Sequence, residues 1–301
     1  MAIPANTFTT YEAIGIREDL TDIVTTISPV DTWVTSNTGN KRATQRYHEW
    51  QRDALKTAGV NKFIEGDSAT ALAITPRVRE GNYCQILRKV WQISDTDMAV
   101  NTAGGSEDSQ QLTKHLKELA REIEYALVIN ASSASGASGT ARQLKGLLGW
   151  ISTNNETGAG TALEALTEDM LNDALSDIWA AGGEPSNILV GGFNKRQISG
   201  FTTNTRNIAA TAKELNAAID IYESDFGRLA VRLHHQLNTT AAGTLIILGD
   251  MSHWNKAWLR PVKREQLARD SASTKYMVEA ELTLESLSEA GHGKVTLLTV
   301  S

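Results

Sequence analysis

The side chains able to move protons or hold a metal form three groupings in this chain: His48 with Glu49 and Asp53, the neighbours His234 and His235, and Asp250 with His253. A metal or an acid–base site needs such groups to converge on one point. His234 and His235 stand next to each other in an expected strand, so their rings point to opposite faces and share no metal easily. The same alternation separates His48 from Glu49. Asp250 and His253 follow an apolar strand, where sites of α/β folds often lie, which marks them as the place for a soluble hydrolase; an ordinary loop is the better reading of them. A lone cysteine, Cys84, leaves no internal disulfide framework and no cysteine-built zinc site, and reads as a small buried apolar residue. Gly104-Gly105, Gly182-Gly183 and Gly191-Gly192 read as turn and helix-stop glycines, since no nucleophile elbow, phosphate loop or dinucleotide fingerprint surrounds them. No catalytic, cofactor-binding or metal residue is therefore assigned.

Composition narrows the classes further. The chain has 301 residues, 41% hydrophobic and 21% charged, enough to bury a sizeable core. Its formal net charge of -6 argues against a protein that coats nucleic acid, although Lys263-Arg264 is a local basic pair. No run of about 18 apolar residues suggests a membrane span. Residues 1 to 7 lack a basic region followed by an apolar stretch, so the chain is expected to be made and kept in a cytoplasm.

The elements that must position these residues are built for reach. From 106 to 130, Leu112, Leu116, Leu119, Ile123 and Ala126 recur at helical spacing, with Lys114, Lys117, Glu118, Glu122 and Glu124 expected on the other sides. Such a helix runs roughly 35 Å and suits a beam across a sheet. Residues 1 to 44 have few large apolar groups, apart from a short candidate helix at 17 to 24, and order by lying on something else. Alternation at 45 to 55 and again at 83 to 93, with a long connection between, predicts one protruding hairpin over 45 to 93. Thr167 caps a helix with Met170, Leu171, Ala174, Leu175, Ile178 and Trp179 at helical spacing, and 164 to 260 reads as a mixed helix and sheet domain. Near the end, Tyr276, Val278, Ala280, Leu282 and Leu284 alternate with Glu279, Glu281, Thr283 and Glu285, giving one dry face and one acidic face. The fold class is α+β.

Six strings, in one order from end to end, carry a resemblance: 10 to 20 (TYEAIGIREDL), 27 to 32 (ISPVDT), 48 to 53 (HEWQRD), 222 to 227 (YESDFG), 259 to 261 (LRP) and 279 to 284 (EAELTL). Together they resemble the HK97-like major capsid proteins of tailed bacteriophages, in the SU10-type branch. The resemblance implies an N-arm at 1–44, an E-loop at 45–93, and a peripheral domain at 94–163 with a spine helix at 106–130. It further implies an axial domain at 164–261 and return strands of the peripheral domain at 262–301. The implied function is self-assembly into pentamers and hexamers of an icosahedral head enclosing double-stranded DNA, with DNA touched weakly and non-specifically. Implied partners are copies of itself, a scaffolding protein, a portal protein and a decoration protein, with no membrane and no cofactor. The implied place is the virion, after assembly in the bacterial cytoplasm. An encapsulin-like shell around protein cargo is the alternative within the same fold.

Two departures from the family accompany it. Trp33 stands where a proline is expected after the Asp-Thr pair. Some relatives cross-link lysine to asparagine, but Lys62 has no identifiable partner, so that chemistry is not carried over. No cleavable scaffolding segment is evident, which implies a separate scaffold. Segments unable to bury their apolar groups alone should bury them across subunits, and Trp33, Trp50, Phe63, Ile64 and Trp91 are the expected inter-subunit anchors.

Overall fold

The computed structural model describes residues 32–68, 71–100, 106–157, 163–201, 221–238, 245–269 and 271–299. The candidate helix at 17 to 24, with the rest of 1–31, lies outside the described residues.

A four-stranded sheet has the order β1 (Gly39–Arg42), β10 (Trp254–Gln266), β11 (Ser273–Ser286), β4 (Gln85–Ser94). β1 runs parallel to β10, and the other pairs are antiparallel. Helix α3 (Glu107–Ile129) lies across it, as a beam of 23 residues. Leu119, Ile123 and Ala126 bury against Leu87, Trp91 and the β11 residues Val278, Ala280 and Leu282. Leu112 is partly buried against that core and Leu116 is 40% exposed. One expectation fails along this helix: Glu124, placed on the polar side, is wholly buried.

A six-stranded mixed sheet has the order β5 (Asn154–Thr157), β12 (Gly293–Thr296), β9 (Ile246–Gly249), β6 (Asn187–Val190), β8 (Gly227–Leu233), β7 (Ile221–Ser224). Helix α5 (Glu168–Ala180) starts at Thr167, whose side chain accepts from the Met170 N–H at 3.3 Å. Leu171, Ala174, Leu175 and Ile178 join Ile188, Ile246, Leu248 and Val295 in a second core. Trp179, expected in that stripe, is 62% exposed with its ring tilted against Phe226. One residue past Ile178 is a 100° turn of the helix, which carries it off the buried face.

Strand pairing redraws the expected boundaries. β5 precedes residue 164 and β12 follows 262, yet both belong to the six-stranded sheet, while β10 from Trp254 onward belongs to the four-stranded one. The range 164–261 is therefore not one unit by itself. Periodicity finds strands but not their neighbours, because pairing is a choice among distant partners.

The third piece is a hairpin of β2 (Tyr47–Arg52) and β3 (Val78–Tyr83). Here the expectation of one hairpin over 45 to 93 is corrected, since residues 85 to 94 pair with β11 rather than with β2. The remaining α-helices among the described residues are short: α1 (Trp33–Asn37), α2 (Asp95–Ala99), α4 (Leu147–Trp150) and α6 (Gly192–Gly200).

Candidate functional site

The root of the hairpin is fixed by buried polar groups. Asn82, with no exposed surface, donates through Nδ2 to the carbonyls of Lys145 and Leu284, each at 2.9 Å, and its Oδ1 accepts from the Lys145 N–H at 2.9 Å. Trp50 packs its ring 5.4 Å from that of Trp150. At Gly81 any side chain would collide with the Tyr47 ring, whose nearest atom lies 2.7 Å from a Cβ built there. That close approach lets Tyr47 pack against Tyr83, centroids 4.5 Å apart.

Beyond this root the chain changes character. From 53 to 77 the described residues form no strand or helix, and their one turn, at Glu65-Gly66, uses a glycine with φ of +82°. Leu55, Val60, Phe63, Ile64, Leu72 and Ile74 are each at least 79% exposed. An apolar set of this size in water marks a surface awaiting a partner. At the base, beside the β2–β3 pairing, ion pairs join the two limbs, Arg77 to Asp53 at 3.6 Å, Arg79 to Glu49 at 3.2 Å and Arg52 to Glu80.

The acidic face of β11 is covered rather than open to water. Glu281 receives Arg142 and Arg260, and Glu279 receives Arg88 and Arg260. Glu285, 2% exposed, accepts from Lys41 at 2.8 Å and lies 3.5 Å from His48 Nε2. Burial opposes its ionisation, but the bonds from His48 and Lys41 outweigh that and hold the carboxyl below its ordinary value. Lys41 of β1, Arg88 of β4, Arg260 of β10 and Arg142 thus supply the positive groups that neutralise this face.

A second buried network holds the root of the arm. Glu124 Oε1 accepts from the Val34 N–H at 2.7 Å and from His234 Nε2 at 2.9 Å. Its Oε2 accepts from the Thr35 N–H at 2.8 Å and from the Thr35 hydroxyl. Lys256 Nζ donates to the carbonyls of Thr35 and Thr38, the latter at 3.1 Å. Sequence reading missed Asn82, Glu124 and Lys256. For Glu124 the available signal is its company, Ile123 before it and Ala126-Leu127-Val128 after it, where the apolar stripe widens.

Of the five expected anchors, Phe63 and Ile64 stand exposed on the loop. Trp33 is partly buried against the first core. Trp50 and Trp91 correct the expectation: they are 8% and 7% exposed, the latter stacked on His115, so their rings are already covered by their own chain. Aromatic type alone does not tell a core ring from an interface ring.

The chemical groupings do not converge. His234 is buried and His235 exposed. Asp250 caps a short turn, accepting from the Ser252 N–H at 3.0 Å and the Ser252 hydroxyl at 2.6 Å; burial opposes its charge, yet these bonds hold its carboxyl below the ordinary value. His253 meets His292 edge-on at 5.9 Å. His292 donates from Nδ1 to the Ser288 carbonyl and accepts at Nε2 from the Trp254 indole, and burial pushes its pKa down. Cys84 is buried, and burial, aided by Glu281, pushes its thiol up to about 11. Among the described residues no three His, Cys, Asp or Glu side chains are grouped to hold a metal ion, and no helix is long and apolar enough to cross a membrane.

Comparison with known proteins bears on this arrangement. A family model described as SU10 major capsid protein matches residues 3–299. The major capsid protein of Escherichia phage Phieco32 is 26% identical over 329 aligned positions, covering 92% of this chain and 93% of that one. Among solved structures, the Cyanophage A-1(L) capsid asymmetric unit is similar with a TM-score of 0.71 at 12% identity, over 97% of this chain and 98% of that one. An SrpI encapsulin complex from Synechococcus elongatus gives 0.63 at 11% identity, over 96% and 98%. At such identities the two structural likenesses speak for the fold alone.

Proposed function

The chain belongs to the SU10 major capsid protein family and has the HK97-like fold, and from that premise we propose that its copies join by laying the 53–77 loop on a neighbouring subunit. It is a phage major capsid protein, a component of the virion capsid built from many copies of itself. The observation that carries the proposal is the bare apolar loop on a fixed root. Each of its large apolar side chains contributes on the order of 1.5–3 kcal/mol when fully buried. Ordering the loop offsets part of this gain, so each contact is modest and symmetry multiplies it.

In this reading the copies form the pentamers and hexamers of an icosahedral head around double-stranded DNA, assembled in the host cytoplasm with a scaffolding protein and a portal, and later decorated. Residues 1–44 act as the N-arm, the hairpin as the E-loop, the four-stranded sheet with α3 as the peripheral domain, and the six-stranded sheet as the axial domain. Contact with DNA is weak, in keeping with the net charge of -6. The encapsulin alternative rests on fold likeness alone, whereas the family match spans nearly the whole chain.

Negative-stain images of the purified chain beside the double variant Phe63→Ser, Ile64→Ser test the proposal. Shells, tubes or rings from the wild type and their loss in the variant are expected. A wild-type chain that sediments as a monomer, with slow amide exchange throughout 53–77, would show the loop completing itself within one subunit and end this reading.

A further inference from the structure

The arm root carries a device that the assembly reading does not require. Helix α1 has the sequence Trp-Val-Thr-Ser-Asn, without a charged residue, yet each of its ends meets a buried charge from a different part of the fold. At its N-terminal end the Glu124 carboxylate of α3 takes the Val34 and Thr35 N–H groups. At the other end the Lys256 ammonium of β10, 6% exposed, takes the Thr35 and Thr38 carbonyls. Negative charge at the start and positive charge at the finish both match the direction of the helix dipole.

Apolar attachment is slight by comparison. Val34 is the one residue of α1 that is wholly buried, and Trp33 is partly buried against the first core. Glu124 Oε1 is also shared: the nitrogen that bonds it beside Val34 is Nε2 of His234, whose backbone N–H is tied to the Val190 carbonyl at the end of β6. One carboxylate therefore joins the arm root, the long helix and the six-stranded sheet.

We propose that Glu124, Lys256 and His234 form a lock on α1, so that the arm root is a separable piece with a seated and a released position, and that its seat is coupled to the six-stranded sheet through the shared carboxylate oxygen. The two buried charges depend on each other. Burial pulls the Lys256 pKa down and Glu124 opposes that pull, so loss of the carboxylate weakens both ends of the seat. Release of α1 exposes few apolar groups, which is what a two-position element inside a stable fold requires. The lock belongs to the single chain and stands or falls independently of how copies assemble.

Hydrogen exchange on the full-length chain, read by mass spectrometry on unassembled protein, tests it with Glu124→Gln, Lys256→Met and His234→Gln. Each of the first two should raise exchange of residues 33–38 by about tenfold or more, the effect of losing charge-assisted hydrogen bonds. Segments 123–128 and 246–249 should rise far less than residues 33–38. His234→Gln should raise exchange at the same 33–38 segment, because among the described residues His234 reaches α1 only through Glu124. Unchanged protection of 33–38 in Lys256→Met, or an equal loss along the entire chain, overturns the lock. Should Glu124→Gln fail to fold, Lys256→Met and His234→Gln carry the same readout.

Discussion

The loop at 53–77 and the root of the arm invert the usual placement of side chains in opposite ways. On the loop, Phe63 and Ile64 are 80% and 83% exposed, apolar groups left in water. At the arm root, Glu124 and His234 are 0% and 1% exposed, ionisable groups kept from it. At the second, both oxygens of Glu124 find N–H or O–H partners within one chain, while His234 Nδ1 has no hydrogen-bond partner among the described residues. A buried charge with its partners in place is tolerated by a monomer, whereas exposed apolar area lowers its free energy only when another surface arrives. The arm root is thus a matter of folding and the loop a matter of association.

That contrast can be broken or sharpened by mutation. The largest effect on the folded chain is expected from Glu124→Ala, which strands two backbone N–H groups and the His234 ring: a loss of about 3–5 kcal/mol, read from urea unfolding. Asn82→Ala removes the three hydrogen bonds that tie the hairpin root to Lys145 and Leu284 and should lower stability by about 2–3 kcal/mol in the same measurement, with exchange rising in β2 and β3. If Asn82→Ala left the hairpin as protected as before, the root would not be what holds the loop out.

A smaller, pH-dependent effect is expected at Glu285. Its folded pKa is depressed, so its stabilisation is fully present above the ordinary carboxylate value of about 4.3 and is lost as pH falls through the lower folded value. The urea midpoint gap between wild type and Glu285→Gln should be constant near neutrality and shrink in acid; a gap that widens there would reverse the sign assigned to this group. The smallest effect on the folded chain belongs to the loop. Phe63→Ser with Ile64→Ser should leave monomer stability within about 0.5 kcal/mol while abolishing assembly, and a large loss of monomer stability would erase the contrast with Glu124.

Trp50 and Trp91 show where the reading of residue types ran out. Both were expected beside Phe63 and Ile64 as anchors for neighbouring subunits, but Trp50 faces Trp150, far along the chain, and Trp91 faces His115 on α3. Glu279, Glu281 and Glu285 were placed correctly on one face of a strand, yet that face is capped by cations from β1, β4, β10 and the loop holding Arg142, with His48 of β2 beside Glu285. In each case the position on an element was legible and the neighbour across from it was not.

The amino-acid order by itself determined the long helix, the dry face of β11, the helix start at Thr167, the fold class and the family, because periodicity, capping and matched strings are local properties repeated along the chain. Only the tertiary structure decided which strand pairs with 47–52, which sheet takes residues 154–157 and 293–296, and which charges are buried. Those outcomes depend on groups tens to hundreds of residues apart, such as Val34 with Glu124 or Lys41 with Glu285, and no window along the sequence contains both members of such a pair.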